Sequence, residues 1–240
     1  MSIKVNTEIK RPSKEVIESF RSLFKEGNSV TPAVSDALNR SNAMSSDIKP
    51  LFEGIRVVGV ALTVKTIASD IAPVIKALDL IQPGDMLVVD THNSRDTAFW
   101  GEMVSLQAQR KGAAGIILDC STRDVIEVRN LKFPVLCRGV TPNVAVLSGY
   151  GAINVPVRCG GVVVNPGDIV VVDDNGVVVV PLDEAEEVLE TSRRYLGNEL
   201  KVAQQIVEGV SLSEILGLKK LEQGAIDIMA QYEEQAKGEA

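Results

Sequence analysis

Twenty residues separate Glu102 from Arg123-Asp124, and these three side chains carry the charges that would grip a small oxo acid and a hard cation. An arginine fork holds a carboxylate through two parallel bonds. Asp124 and Glu102 can hold a divalent cation directly or through water. Glu102 also belongs to Gly101-Glu102-Met103-Val104, the start of a helical pattern over 101–111. Free N–H groups at a helix start bind anions, and Gly101 lets a ligand approach the backbone. With its carboxylate on Arg123 and the amides and its keto oxygen on the cation, a bound oxo acid would have its carbonyl polarised and its enolate stabilised. That chemistry serves carbon–carbon cleavage beside a carbonyl, by retro-aldol or decarboxylation.

A β-α-β unit is needed to bring these residues together. MLVVD (86–90) reads as a buried strand, Gly112 closes the helix, and AAGIILD gives a second apolar strand ending at Asp119. Such crossovers are right-handed and their strands parallel, so the two strand exits and the helix N-terminus share one edge. Ligands of open α/β sheets bind at that edge. The same residues also fit plainer roles. An Arg-Asp pair after a strand is often a surface ion pair worth under about 1 kcal/mol, and Gly-Glu often simply caps a helix. Arg95-Asp96, in the first loop of this edge, reads as a second ligand patch or a solvated pair. His92 in that loop reads as an acid–base group or a surface residue.

Composition narrows the class. The chain has 240 residues, 45% hydrophobic and 24% charged, as expected of an ordinary globular protein with a sizeable core; the β-α-β unit makes the fold class α/β. A net charge of −7 argues against nucleic-acid or anionic-membrane partners. No apolar stretch is long enough to span a membrane, and the N-terminus lacks a signal-peptide pattern. Cys120, Cys137 and Cys159 are widely spaced, which fits reduced thiols and a cytoplasmic location. With His92 the one histidine, a metal would need oxygen ligands, pointing to Mg²⁺ or Mn²⁺.

Three segments follow from the patterning: a helical segment over 1–30, an α/β domain over 31–181 and a helical extension over 182–240. Apolar residues at 16, 17, 20, 23 and 24 make a helical stripe that Gly27 stops. Thr31-Pro32 opens a second helix, with Thr as cap and Pro at the first position. IRVVGVALTVK (55–65) reads as a strand with a Gly kink, Ala72–Ile81 as a helix, 124–131 as a helix and FPVLCRG (133–139) as a strand. Pro-Gly-Asp before an apolar run occurs at 83–85 and 166–168, a recurrence too short to claim duplication. Asp174-Asn175-Gly176 between two valine runs marks a hairpin. A long helix covers 183–208, with a stripe at 185, 188, 189, 192, 196, 203 and 206. Ser211 with Glu214 starts another helix, and the tail continues helical before fraying.

The stretch AFWGEMVSLQAQRKGAAGIILDCSTRDV, followed by FPVLCRG and GGVVVNPGDIVVVDDNGVVVVP, resembles the RraA-like family over roughly Val34 to Gly217. That family includes the 4-hydroxy-4-methyl-2-oxoglutarate/4-carboxy-4-hydroxy-2-oxoadipate aldolases and the regulators of ribonuclease activity A. The resemblance implies a swivelling β/β/α core with N-terminal helices and a C-terminal helical arm, assembled as a homotrimer or homohexamer. The aldolase signature, an acid, twenty residues, then Arg-Asp, falls on Glu102, Arg123 and Asp124. The family's pyruvate cradle falls on Gly101-Glu102-Met103-Val104, its metal aspartate on Asp124, and a supporting glutamate from a neighbouring subunit on Glu199. The implied activity is that of a divalent-metal-dependent lyase: a class II pyruvate aldolase that also decarboxylates oxaloacetate. Two departures stand out. Glu102 replaces the family aspartate, and THNSRDTAF replaces a glycine-rich loop. The family's ribonuclease regulators lack the aspartate that this chain keeps as Asp124. A non-catalytic regulator, or a lyase for another oxo or sugar acid, is the alternative; no S-adenosylmethionine loop is recognisable.

Overall fold

In the computed structural model, described for residues 3–223 except Gly27, Ala68, Asn93 and Leu221, helices and short strands alternate along the chain. The first half runs β1 (Lys4–Val5), α1 (Lys14–Ser22), α2 (Thr31–Ala37), β2 (Lys49–Pro50), β3 (Val57–Thr66), α3 (Ala72–Leu78), β4 (Asp85–Asp90) and α4 (Glu102–Arg110). Then come β5 (Gly115–Leu118), β6 (Ser121–Thr122), α5 (Val125–Leu131), β7 (Val135–Cys137), β8 (Gly139–Val140) and β9 (Gly151–Ile153). The chain continues with β10 (Val157–Cys159), β11 (Val162–Val164), β12 (Ile169–Asp173), β13 (Gly176–Val180), α6 (Ala185–Val207) and α7 (Leu212–Ile215).

The main sheet has the order β1-β9-β3-β4-β5-β7-β2, with β12 and β13 attached through β3. Strands β3, β4, β5 and β7 are parallel, as the β-α-β reading requires. Their side chains alternate between two cores because successive residues of a strand face opposite ways. Leu87, Val89, Ile116 and Leu118 pack toward the helical face with Phe99, Trp100 and Phe133. Met86, Val88, Ile117 and Leu136 pack toward the β10–β11 hairpin. A third core gathers Ile17 and Phe20 of α1, Val34 of α2 and Val188 of α6 against β12 and β13. No helix among the described residues is long and apolar enough to cross a membrane.

Both Pro-Gly-Asp turns use the same device. The Asp85 carboxylate accepts the Gln82 amide at 2.8 Å, and the Asp168 carboxylate accepts the Asn165 amide at 2.8 Å. The glycines between them, Gly84 and Gly167, have φ of 90° and 93°, a region that disfavours a Cβ. Shared turn chemistry therefore accounts for the recurrence. The hairpin of β12 and β13 also forms, turning on Asp174-Asn175 with Asp173 opposite Gly176.

One cap is not where the local sequence places it. Val30, not Thr31, precedes the first helical residue of α2, and the Thr31 hydroxyl does not cap its own helix. It donates to Asp173 Oδ1 at 2.6 Å, while Asp173 Oδ2 accepts from the Val30 and Thr31 amides at 2.8 and 2.9 Å. The cap thus comes from β12, more than 140 residues later. Gly27 lies outside the described residues, as does most of the tail expected to be helical.

A first compact unit extends to Arg193 and includes the opening turns of α6, where Ala185, Val188, Leu189 and Ser192 are buried. From Arg194 a second unit holds the rest of α6 and the short α7. Ser211 caps α7, accepting the Glu214 amide at 3.3 Å. Glu199 is exposed on this part of α6.

Candidate functional site

Trp100 organises the entry to α4. Its indole N–H donates to Ser105 Oγ at 2.7 Å, and Ser105 Oγ donates to the Gly101 carbonyl at 2.8 Å. Its own carbonyl accepts the Arg123 amide at 3.0 Å and the Thr122 hydroxyl at 3.2 Å. Trp100 and Ser105 are both buried, and the indole stacks against Phe133. The start of α4 is therefore tied to the strand exit that carries Arg123-Asp124. A single tryptophan directly before Gly-Glu was the available signal for this hub; its partners are invisible in sequence.

Asp124 has φ 54° and ψ 45°, the left-handed region that aspartate and asparagine tolerate better than other residues with a Cβ. Its side chain makes no cap for α5, the helix it precedes. Instead its Oδ2 accepts the Glu102 amide of α4 at 3.1 Å, with Arg123 Nε at 3.6 Å. Of the four expected cradle amides, Glu102's is thereby taken. Those of Gly101, Met103 and Val104 have no hydrogen-bond partner among the described residues. Gly101, Met103, Val104, Arg123 and Asp124 border one hollow of about 70 Å³, with Ile71 and Val144 also at its wall. Neither of those last two was foreseen, because they arrive from distant loops.

Gly101 is extended, with φ −176°, so its backbone does not demand glycine. The demand comes from space: a Cβ there would run into the Asp124 carboxylate and lie 3.2 Å from Arg123 Cγ. Gly101→Ala should push the Asp124 side chain off the Glu102 amide. We expect activity at this site to fall by roughly 10²-fold, as for misplacement by about 1 Å, with the unfolding midpoint nearly unchanged. Steady-state kinetics beside a thermal melt would check both halves.

The donor set suits a hard cation held mainly by water. Among the described residues no group of three or more His, Cys, Asp or Glu side chains converges as a metal cage. Asp124 offers Oδ1, and the Glu102 carboxylate has no partner among the described residues. One or two carboxylates with several waters match how Mg²⁺ is bound, and Mn²⁺ accepts the same oxygen donors. Glu102 and Asp124 are joined through the Glu102 backbone.

The other expected residues go elsewhere. Arg95 does not join the hollow; it pairs with Asp47 at 2.9 Å. His92, with φ 54°, lines a separate cavity with Asp119 and Arg138. The three cysteines are buried; burial raises the Cys137 thiol to about 11 and the other two higher, so all stay protonated and unreactive at neutral pH.

Comparison with known proteins gives a consistent picture. The RraA-like (Aldolase/RraA) family matches residues 31–179. A protein of Halalkalibacterium halodurans, provisionally named a 4-hydroxy-4-methyl-2-oxoglutarate aldolase, is 40% identical over 164 residues, 68% of this chain and 78% of its own. Among solved structures, Streptomyces coelicolor RraAS2, described as an unusual member of the RNase ES inhibitor RraA family, superposes with a TM-score of 0.70 at 33% identity. That match covers 81% of this chain and 100% of the other. The RNA-processing inhibitor RraA of Thermus thermophilis gives 0.59 at 29% identity, covering 64% of this chain and 93% of that one.

Proposed function

Since the chain belongs to the RraA-like aldolase/RraA family, we propose that it is a divalent-metal-dependent lyase that cleaves a carbon–carbon bond beside the carbonyl of a pyruvyl-type oxo acid. The observation that carries this reading is the convergence of Arg123, Asp124 and three unpartnered amides on one hollow. That combination suits an anionic, carbonyl-bearing ligand. The substrates in view are 4-hydroxy-4-methyl-2-oxoglutarate and oxaloacetate, with pyruvate the shared product. The aldolase name of the Halalkalibacterium relative supports it.

In this reading the Gly101, Met103 and Val104 amides bind the substrate carboxylate and orient the pyruvyl part. Arg123 lies against the carboxylate or the oxygen that becomes the enolate. Asp124 would hold Mg²⁺ or Mn²⁺, whose charge polarises the keto group. In the aldol substrate the C4 hydroxyl loses its proton and C4 becomes the carbonyl of one pyruvate as the C3–C4 bond breaks and its electron pair moves toward C2, leaving the enolate of a second pyruvate. In oxaloacetate the departing fragment is CO₂. Arg123 stabilises the enolate oxygen in both cases. Glu102, with a neighbouring subunit's Glu199, would order the water that takes the proton from the aldol substrate and, for both substrates, supplies the proton to C3 that gives pyruvate. Met103, Ile126, Val144, Val146 and Leu147 are exposed apolar side chains, which supports burial against another chain; in the trimer or pair of trimers of this reading, Glu199 would come from a neighbour.

Pyruvate release from both substrates should require Mg²⁺ or Mn²⁺ and stop on addition of chelator. No turnover of either substrate in metal-replete buffer would sink the proposal. A ribonuclease-regulator reading draws on the likeness to RraAS2. It would gain if Arg123→Ala left capture of a ribonuclease intact while no lyase activity was found.

A further inference from the structure

The parallel strands end in a row of charges on the face opposite α4. Lys65 of β3 is paired in register with Asp90 of β4. The last β4–β5 pair is Val89 with Leu118, so Asp90 and Asp119 stand side by side one residue on. Ile117 pairs with Leu136, which brings Arg138 beside Asp119 two residues on. Alternation puts all four above Val88, Ile117 and Leu136. A cavity of about 590 Å³ opens over this row, with His92 and Arg158 also in its wall.

The acids of the row are already satisfied. Asp90 accepts the His92 amide at 2.9 Å and the Arg158 amide at 3.3 Å. Asp119 accepts the Gly160 amide at 3.1 Å and an ion pair from Arg138 Nε. They fasten the β10–β11 hairpin to the sheet and leave little for a cation. Arg138 is spoken for as well, by Asp119 and by Asp47 at 3.2 Å. The side chains of Lys65, His92 and Arg158 have no hydrogen-bond or ion-pair partner among the described residues.

We propose that this cavity is a second ligand site, binding a small organic acid through its carboxylate on Lys65, Arg158 and His92. The carboxyl edge of a parallel sheet is where such ligands bind, and an arginine with a lysine beside it supplies charge-assisted bonds to anionic oxygens. The Arg123 hollow shares none of the residues lining this cavity, so the site stands or falls independently of the lyase reading.

The test is a calorimetric titration of the full chain with malonate, in an Arg123→Ala background that silences the first site. Malonate should still bind there, and adding Lys65→Ala with Arg158→Ala should weaken it by at least about tenfold, the loss of one charge-assisted bond. Inorganic sulfate, run in parallel, tells whether a carboxylate is preferred over a tetrahedral anion; stronger sulfate binding would overturn the assignment to an organic acid. No malonate binding in the Arg123→Ala background, or equal binding after the two further substitutions, would overturn the site. Lys65 and Arg158 are exposed, so the variants should keep the parent's unfolding midpoint.

Discussion

Asp124→Asn should lower pyruvate release from oxaloacetate by roughly 10²–10³-fold, the scale of removing one charged group that stabilises a developing oxyanion, and leave folding almost untouched. Asparagine is the informative replacement because it isolates the charge. It tolerates the left-handed backbone at this position. Its carbonyl oxygen can still accept the Glu102 amide, so the link between α4 and the strand exit survives. What is lost is the negative charge that would hold the cation. Alanine would confuse the result, because it adds backbone strain and frees the Glu102 amide. Steady-state kinetics at saturating Mg²⁺ and a urea melt would separate the two effects. Activity near the parent's would remove Asp124 from the proposed metal role.

The second large effect concerns stability. Asp173→Ala should destabilise the fold by about 3–5 kcal/mol, since each buried donor left unpaired costs about 1–3 kcal/mol and such losses are not fully additive. The buried Asp173 carboxylate accepts from the Val30 and Thr31 amides, the Thr31 hydroxyl, and the Asn175 amide and side chain. Removing it uncaps α2 and loosens the β12–β13 turn together. Out of a total of about 5–15 kcal/mol for a typical domain, that loss is large, and equilibrium urea unfolding would read it directly.

The acid response should change too. Burial pushes the Asp173 carboxyl up, but the bonds from Thr31, Asn175 and Val30 outweigh it and hold the group below the usual carboxylate range. A carboxyl depressed in the folded state contributes stability above its unfolded pKa of about 3.9 and loses it as pH falls through the lower folded value. The parent should therefore weaken below about pH 4, and the variant should show a shallower acid limb. Asp70, also held low by backbone amides against its burial, keeps part of that limb in both proteins. Asp168, raised chiefly by burial, works in the opposite direction. Identical acid limbs in parent and variant would contradict the assignment to Asp173.

Much of this architecture could be read locally. The runs DMLVVD and GIIL are buried on both faces as parallel strands must be. A helix between them needs the twenty-residue spacing that returns Arg123-Asp124 to the start of α4. The valine hairpin was legible from Asp-Asn-Gly. The short strands β9, β10 and β11 were not, since each has three residues and too little periodicity to register.

What the sequence determined by itself was the set of charged groups and the edge on which they meet, because chirality and strand pairing leave a β-α-β unit almost no other arrangement. Tertiary structure decided how those groups are used. Asp124 turns from its own helix to the neighbouring one, Asp173 caps a helix far upstream, and Arg95 leaves the hollow for Asp47. Each is a choice between partners distant in the chain. Local propensity is blind to such choices, since the free energy of a buried hydrogen bond depends on which groups packing has brought within about 3 Å.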